Sequence, residues 1–214
     1  MRILALDASL LRCSVAVVED GRVLAHRRGE TGRGQHHLLP VMAQQAIEEA
    51  GGFDAVAVSI GPGSFTGLRA SLALAHGLAA GEKPLIGVTV AEALAELAGD
   101  VGGRPIWTAI DSRRGRIFLD RDRRIGAVEI VDVMPPSFPI AICGDAAAEL
   151  AASLLARGGN VMLTSARQPD AVAVAAVGAR RLAGALPPLD AQPLYIDPPE
   201  AKLPAGGLRP PPLA

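Results

Sequence analysis

Three closely spaced glycines between an apolar stretch and a helical pattern form the part of this chain best suited to chemistry. The run is Ile60-Gly61-Pro62-Gly63-Ser64-Phe65-Thr66-Gly67-Leu68-Arg69. Glycine permits backbone angles and close approaches that a side chain would block. A helix starting just beyond such a loop turns free N–H groups toward whatever sits there. Ser64 and Thr66 are both suited to cap that helix. Asp7, in Asp7-Ala8-Ser9, is the one acid placed as a nucleotide-binding fold would place it, where it would order a magnesium-bound water. Asp7, Ser9, Gly61, Gly63, Ser64, Thr66 and Arg69 are therefore candidates for a phosphate or loop site; no cofactor is assigned, and ATP with magnesium is the one candidate, at or near a partner interface. Plainer readings stand beside this one. The loop is equally a tight strand-to-helix turn or a grip on another backbone, and Asp7 equally caps its own turn through backbone N–H groups.

Several chemistries fail on spacing. A Walker A loop needs a lysine after its last glycine, and Leu68 stands there. The spacing Gly61, Gly63, Gly67 is one residue too long for a dinucleotide loop. A second acid with a phosphate turn is offered only by Cys143-Gly144-Asp145-Ala146. His26, His36, His37 and His76 have no metal-binding spacing and read as surface residues, so no metal site and no catalytic residue of the chain's own are expected. Arg113, Arg114, Arg116, Arg121, Arg123 and Arg124 alternate with Asp111, Asp120 and Asp122. That pattern suits a solvated hairpin with local ion pairs, with RNA phosphates as a minor alternative.

The chain has 214 residues, half of them hydrophobic, so it can bury a real core. Only 3% are aromatic, so that core is built from Ala, Val, Leu and Ile. A net charge of −1 argues against a free-standing nucleic-acid binder. Cys13 and Cys143 sit in apolar runs and read as buried thiols. The chain opens on a strand pattern rather than a signal peptide, and no apolar run is long enough to span a membrane. A soluble cytoplasmic protein is expected.

Residues 2–8, 13–19 and 23–28 read as three strands in an antiparallel meander. A helix over 36–50, a strand over 55–60, a helix to about 80, a strand near 85–88 and a helix near 90–98 follow. The second half repeats the pattern less clearly. It has strands near 105–110, 116–119, 127–131 and 139–143, and helices near 145–157 and 171–184. This order is the layout of the actin/Hsp70/sugar-kinase (ASKHA) α/β fold: two subdomains of β-β-β-α-β-α type, the second degenerate. The expected boundaries are 1–101, 102–186 and a proline-rich strap over 187–214, whose nine prolines rule out a regular helix or central strand.

The helix after the glycine loop carries Gly67, Ser71, Ala75 and Ala79 at four-residue intervals, on one face. Leu68, Leu72 and Leu78 flank that stripe. The helix over 36–50 adds Leu38, Leu39, Val41, Met42 and Gln45. These residues could meet two helices of a partner, ridges into grooves. The stripe could equally pack on the chain's own sheet.

Ile3-Leu4-Ala5-Leu6-Asp7-Ala8-Ser9, Cys13-Ser14-Val15-Ala16, the Gly61–Arg69 loop, Asp111-Ser112-Arg113-Arg114-Gly115, Pro193-Leu194-Tyr195 and Lys202-Leu203-Pro204 together resemble the TsaB (YeaZ) family. The resemblance is strong over residues 1–120, and departs from the family pattern at Gly34, Phe118 and Asp197. It implies a non-catalytic subunit in the formation of threonylcarbamoyladenosine in tRNA, beside the anticodon. Its expected partners are the catalytic paralogue TsaD and the ATPase subunit TsaE, with tRNA met only through the complex. Under that resemblance the two helices form the interface with TsaD, and the same helices could close a homodimer. The alternative is a free-standing ATPase or small-molecule kinase of the same fold.

Overall fold

The structure, a computed structural model, describes residues 1–29, 35–80, 82–121 and 123–196. Gly34, Asp197 and Lys202-Leu203-Pro204 lie outside the described residues. Among the described residues ten strands form two five-stranded mixed sheets. In the first, β1 (Arg2–Asp7), β2 (Ser14–Glu19) and β3 (Arg22–Arg28) make the antiparallel meander. The strands β4 (Ala55–Gly61) and β5 (Leu85–Thr89) add in parallel on the other side of β1, giving the order β3-β2-β1-β4-β5.

The second sheet holds β6 (Ile106–Asp111), β7 (Ile117–Arg121), β8 (Arg124–Val128), β9 (Ile140–Cys143) and β10 (Val161–Leu163). Its order, β10-β9-β6-β7-β8, is that of the first sheet read from the other edge. Each half therefore has three meandering strands and then two parallel ones beside the first. This is the ASKHA α/β arrangement. The three-residue β10, squeezed between Asn160 and Thr164, has too little alternation to read from sequence.

The helices follow the caps. A 3-10 turn over Gln35–Leu38 leads into α1 (Leu39–Ala50), whose Pro40 stands in the first turn, where no N–H is needed. Gly51, in the left-handed region at φ 70°, ends it. The next helix, α2 (Phe65–Ala79), is capped by Ser64, and α3 (Val90–Ala98) by a Thr89–Glu92 capping box. In the second half lie α4 (Ala147–Ala156) and α5 (Ala171–Leu182).

Strand alternation decides the packing. Leu4, Leu6, Val15, Val17, Val56 and Val58 face α1 and α2 in one core. Ile3, Ala5, Ala16, Val18, Ala55 and Ala57 face the opposite way, and α5 covers them with Val174 and Val177. The last helix of the second half thus completes the first half. The middle helix α3 packs Val90 and Leu94 against Ile110 and Cys143 of the second sheet. Cys13 and Cys143 are both buried and not joined in a disulfide. The segment 189–194 lies over the first sheet: Gly87 N–H donates to Leu189 O at 2.9 Å, and Leu194 N–H to Ile60 O at 2.8 Å.

Candidate functional site

The glycine loop closes on its own chain. Ser64 N–H donates to Ser9 O at 2.6 Å, and Ser64 Oγ accepts from Gly67 N–H at 3.3 Å. A methyl group at Gly63 would overlap the Ser9 carbonyl oxygen, and one at Gly67 the Ala8 carbonyl oxygen. The glycines are needed because the turn after β1 lies against them. The second half repeats the device: Ala146 N–H donates to Ala109 O at 3.2 Å, and a methyl at Gly144 would overlap that same oxygen.

Asp7 ends β1 as Asp111 ends β6, and both cap the turn that follows. Ser9 Oγ–H donates to Asp7 Oδ1 at 2.7 Å, with Ser9 N–H at 3.4 Å. Arg113 N–H donates to Asp111 Oδ1 at 2.7 Å. Asp7 is fully buried, and its Oδ2 has no hydrogen-bond partner among the described residues. Burial pushes its carboxyl above the usual carboxylate range. Ser59, close without closing a bond of ordinary geometry, opposes that shift, as does Ser9. Burial also raises Asp145, whose Oδ1 accepts from Asp111 N–H at 2.9 Å. Two principal donors of the loop and one oxygen of Asp7 are thus engaged internally, and Asp7 is sealed from solvent. These residues do not form an open cradle for magnesium and phosphate. Ser64, Thr66 and Arg69 remain exposed at the mouth of the loop.

The helix face needs correction. Gly67, Ser71, Ala75 and Ala79 are all buried, as are Leu68 and Leu72. Leu72, Ala75 and Ala79 belong to the core under the first sheet, together with Leu39 and Met42 of α1. The small stripe therefore lets α2 settle on this chain's own β-layer. Its period is the same whether a strand or a foreign helix fills it, so sequence could not decide. Outward lie Val41, 57% exposed, with Gln45 exposed and Leu38 and Leu78 half-buried.

A second exposed group stands at the start of α2. Phe65 is 54% exposed and Tyr195 50%. The Arg69 guanidinium lies 3.8 Å above the centre of the Phe65 ring, and its Nε–H donates to Tyr195 Oη at 3.3 Å. The rings are 6.3 Å apart. Motif spacing alone assigns Phe65 no role. A signal was present: the chain has only four Phe, one Tyr and one Trp, and one of them stands in an otherwise polar loop.

The remaining candidates are scattered. His26 Nε2 lies 3.0 Å from Asp170 Oδ1, and His76 Nε2 is 3.1 Å from Ala191 O. Among the described residues no group of three His, Cys, Asp or Glu could hold a metal ion. In the arginine-rich hairpin Arg113 pairs with Asp111 at 3.6 Å, and Arg121 lies over the Trp107 ring at 5.2 Å. Among the described residues no helix is long and apolar enough to cross a membrane.

Two sheets of one strand order, each with an aspartate ending its first strand and a glycine segment before a helix set against that strand or its turn, define an ASKHA-fold protein. The solved structure of YeaZ from Pseudomonas aeruginosa shares the fold, with a TM-score of 0.73 at 24% identity over 91% of this chain and 99% of that one. A family model described as TsaD, tRNA N6-adenosine threonylcarbamoyltransferase, matches residues 30–139. The tRNA threonylcarbamoyladenosine biosynthesis protein TsaB of Escherichia coli K12 is 39% identical over 124 residues, 55% of this chain and 53% of that protein. An uncharacterised protein of Mycobacterium tuberculosis H37Rv is 33% identical over 150 residues, 65% of this chain and 67% of that protein. The chain belongs to the TsaB (YeaZ) family. It spans about half the length of the curated TsaB relatives it matches.

Proposed function

We propose that this chain takes part in forming threonylcarbamoyladenosine in tRNA, as a non-catalytic subunit that docks on the catalytic paralogue TsaD. The observation carrying this reading is the exposed group of Phe65, Arg69 and Tyr195 at the start of α2, with Val41 exposed on α1. Aromatic and arginine side chains held rigid in the free protein are the usual anchors of protein interfaces. Arg69, stacked on one ring and bonded to the other, loses little freedom on binding. The buried stripe supports the face from beneath by fixing α2 on the sheet. Leu38, Gln45 and Leu78 complete the contact, and a second copy of this chain could occupy the same face at rest. TsaE joins the pair, and tRNA is met through the complex. Mg-ATP shared between subunits would meet Ser64, Thr66 and Arg69 rather than the sealed Asp7.

Reconstitution of tRNA modification with purified TsaD and TsaE, with and without this chain, tests the reading. Modification is expected to require the chain and to fail with a folded Val41→Glu, Phe65→Ala double variant. Equal modification without the chain contradicts it.

A further inference from the structure

One cavity carries more cationic groups than its carboxylate can balance. Of about 240 Å³, it lies where the turn after β1, the end of β3 and the segment entering α5 meet. Arg12, Arg28 and Arg167 line it, with Ser165, Gln168 and Asp170. Asp170 is the one carboxylate among those lining residues, and it is already engaged. Its Oδ2 accepts from Arg28 Nε–H at 2.7 Å, and its Oδ1 accepts from Val172 N–H at 3.0 Å and faces His26. Arg12 Nη2 reaches Asp170 only at 3.9 Å. Among the described residues no carboxylate pairs with Arg167. Arg12 Nη2–H donates to Pro169 O at 3.3 Å, but Arg12 Nε and Arg167 Nη1 are buried donors that no acceptor meets among the described residues.

Three guanidinium groups against one carboxylate leave a strongly positive lining, and buried charged donors left unpaired are costly. Guanidinium forks match phosphate oxygens in bidentate pairs and keep their charge at any working pH. The volume falls below the range of about 300–1,000 Å³ typical of pockets for drug-sized ligands, which suits a single small group. We propose that this cavity is a binding site for one phosphate group, carried either by an RNA backbone or by free inorganic phosphate. Arg167, without an ion pair among the described residues, is its principal ligand, and Arg12 the second. Asp170 holds Arg28 in place.

The full-length chain is titrated with inorganic phosphate by calorimetry and with tRNA by fluorescence anisotropy, as wild type, Arg167→Gln and Arg167→Lys. One probe is expected to bind saturably to the wild type. The glutamine variant should weaken that binding about tenfold or more, and the lysine variant, keeping charge without the fork, less. Melting temperatures should not change. Saturable phosphate binding identifies the free ion as the source. Binding of tRNA alone, with a salt slope reduced by about one in Arg167→Gln, identifies the RNA backbone. Should the glutamine variant not fold, the lysine variant carries the comparison. Binding of neither probe, or equal binding by wild type and variants, overturns the site. The titrations use this chain alone, so their failure leaves the docking reading untouched.

Discussion

Asp7 and Asp170 lie close enough to repel one another, and their surroundings push them in opposite directions. Burial keeps the Asp7 carboxyl above its usual range. Folding therefore takes up a proton at Asp7 between the unfolded value, about 3.9, and the raised one. Stability drains away as pH rises through that window, and Asp7 is a standing cost at neutral pH. Asp7→Asn keeps the acceptor for Ser9 and adds a donor toward Ser59, so its melting temperature at pH 7 should equal or exceed the wild type's. The difference should shrink as the pH is lowered toward 4, as thermal melts across that range would show. Asp170 is the reverse case. Burial alone would raise its carboxyl, but His26, the Val172 N–H and Arg28 hold it well below the usual range. Its contribution is present above about pH 4 and lost as the pH falls through the depressed folded value. At neutral pH, Asp170→Asn should cost about 2 kcal/mol in denaturant unfolding, since it leaves Arg28 without its counter-charge. Asp7 was legible in the sequence, including its plainer role as a turn cap. The Asp170 cluster was not, because His26 and Arg28 meet Asp170 only through the fold.

The glycine loop and the helix beyond it carry the argument at the scale of elements. A methyl at Gly67 would meet backbone, which cannot swing away as a side chain can. Gly67→Ala should cost about 3 kcal/mol or prevent folding. Gly77, on the exposed side of the same helix, has nothing within 4 Å of a built methyl, so Gly77→Ala should gain about 0.5–1 kcal/mol. Urea unfolding of the two variants separates a packing glycine from an idle one. Most elements were legible because their caps and periods agree: Gly51 ends α1, Ser64 starts α2, and Thr89 with Glu92 starts α3. What the stripe on α2 touches was not legible. Small residues at four-residue spacing state only that something comes close; at Gly67 it is the Ala8 carbonyl, and Ala75 and Ala79 pack into the core under the first sheet. A charge at Ala75, fully buried, would break the fold rather than test an interface.

At the scale of the whole molecule, the two halves share a strand order but not a core each. The last helix, α5, seals the first sheet, and Arg181 fastens its end: Nη1–H donates to Gly87 O at 2.9 Å and Nη2–H to Glu92 at 2.6 Å. The halves should therefore unfold together. Trp107, the single tryptophan, is buried in the second sheet and reports on that half alone, whereas far-ultraviolet dichroism reports on both. Coincident urea transitions by the two probes are expected, and separated ones would show independent halves.

The repeat of strand order was legible only as a pattern of elements, since the equivalent segments share no clear sequence beyond an aspartate ending each first strand. The account rests on the outward side of α1 and α2 meeting a sister protein. Calorimetric titration of this chain with TsaD from the same organism tests that most directly. The account predicts saturable binding by the wild type, weakened at least about tenfold in a Val41→Glu, Phe65→Ala variant of unchanged melting temperature. Equal affinity of variant and wild type, or no binding by either, would contradict it.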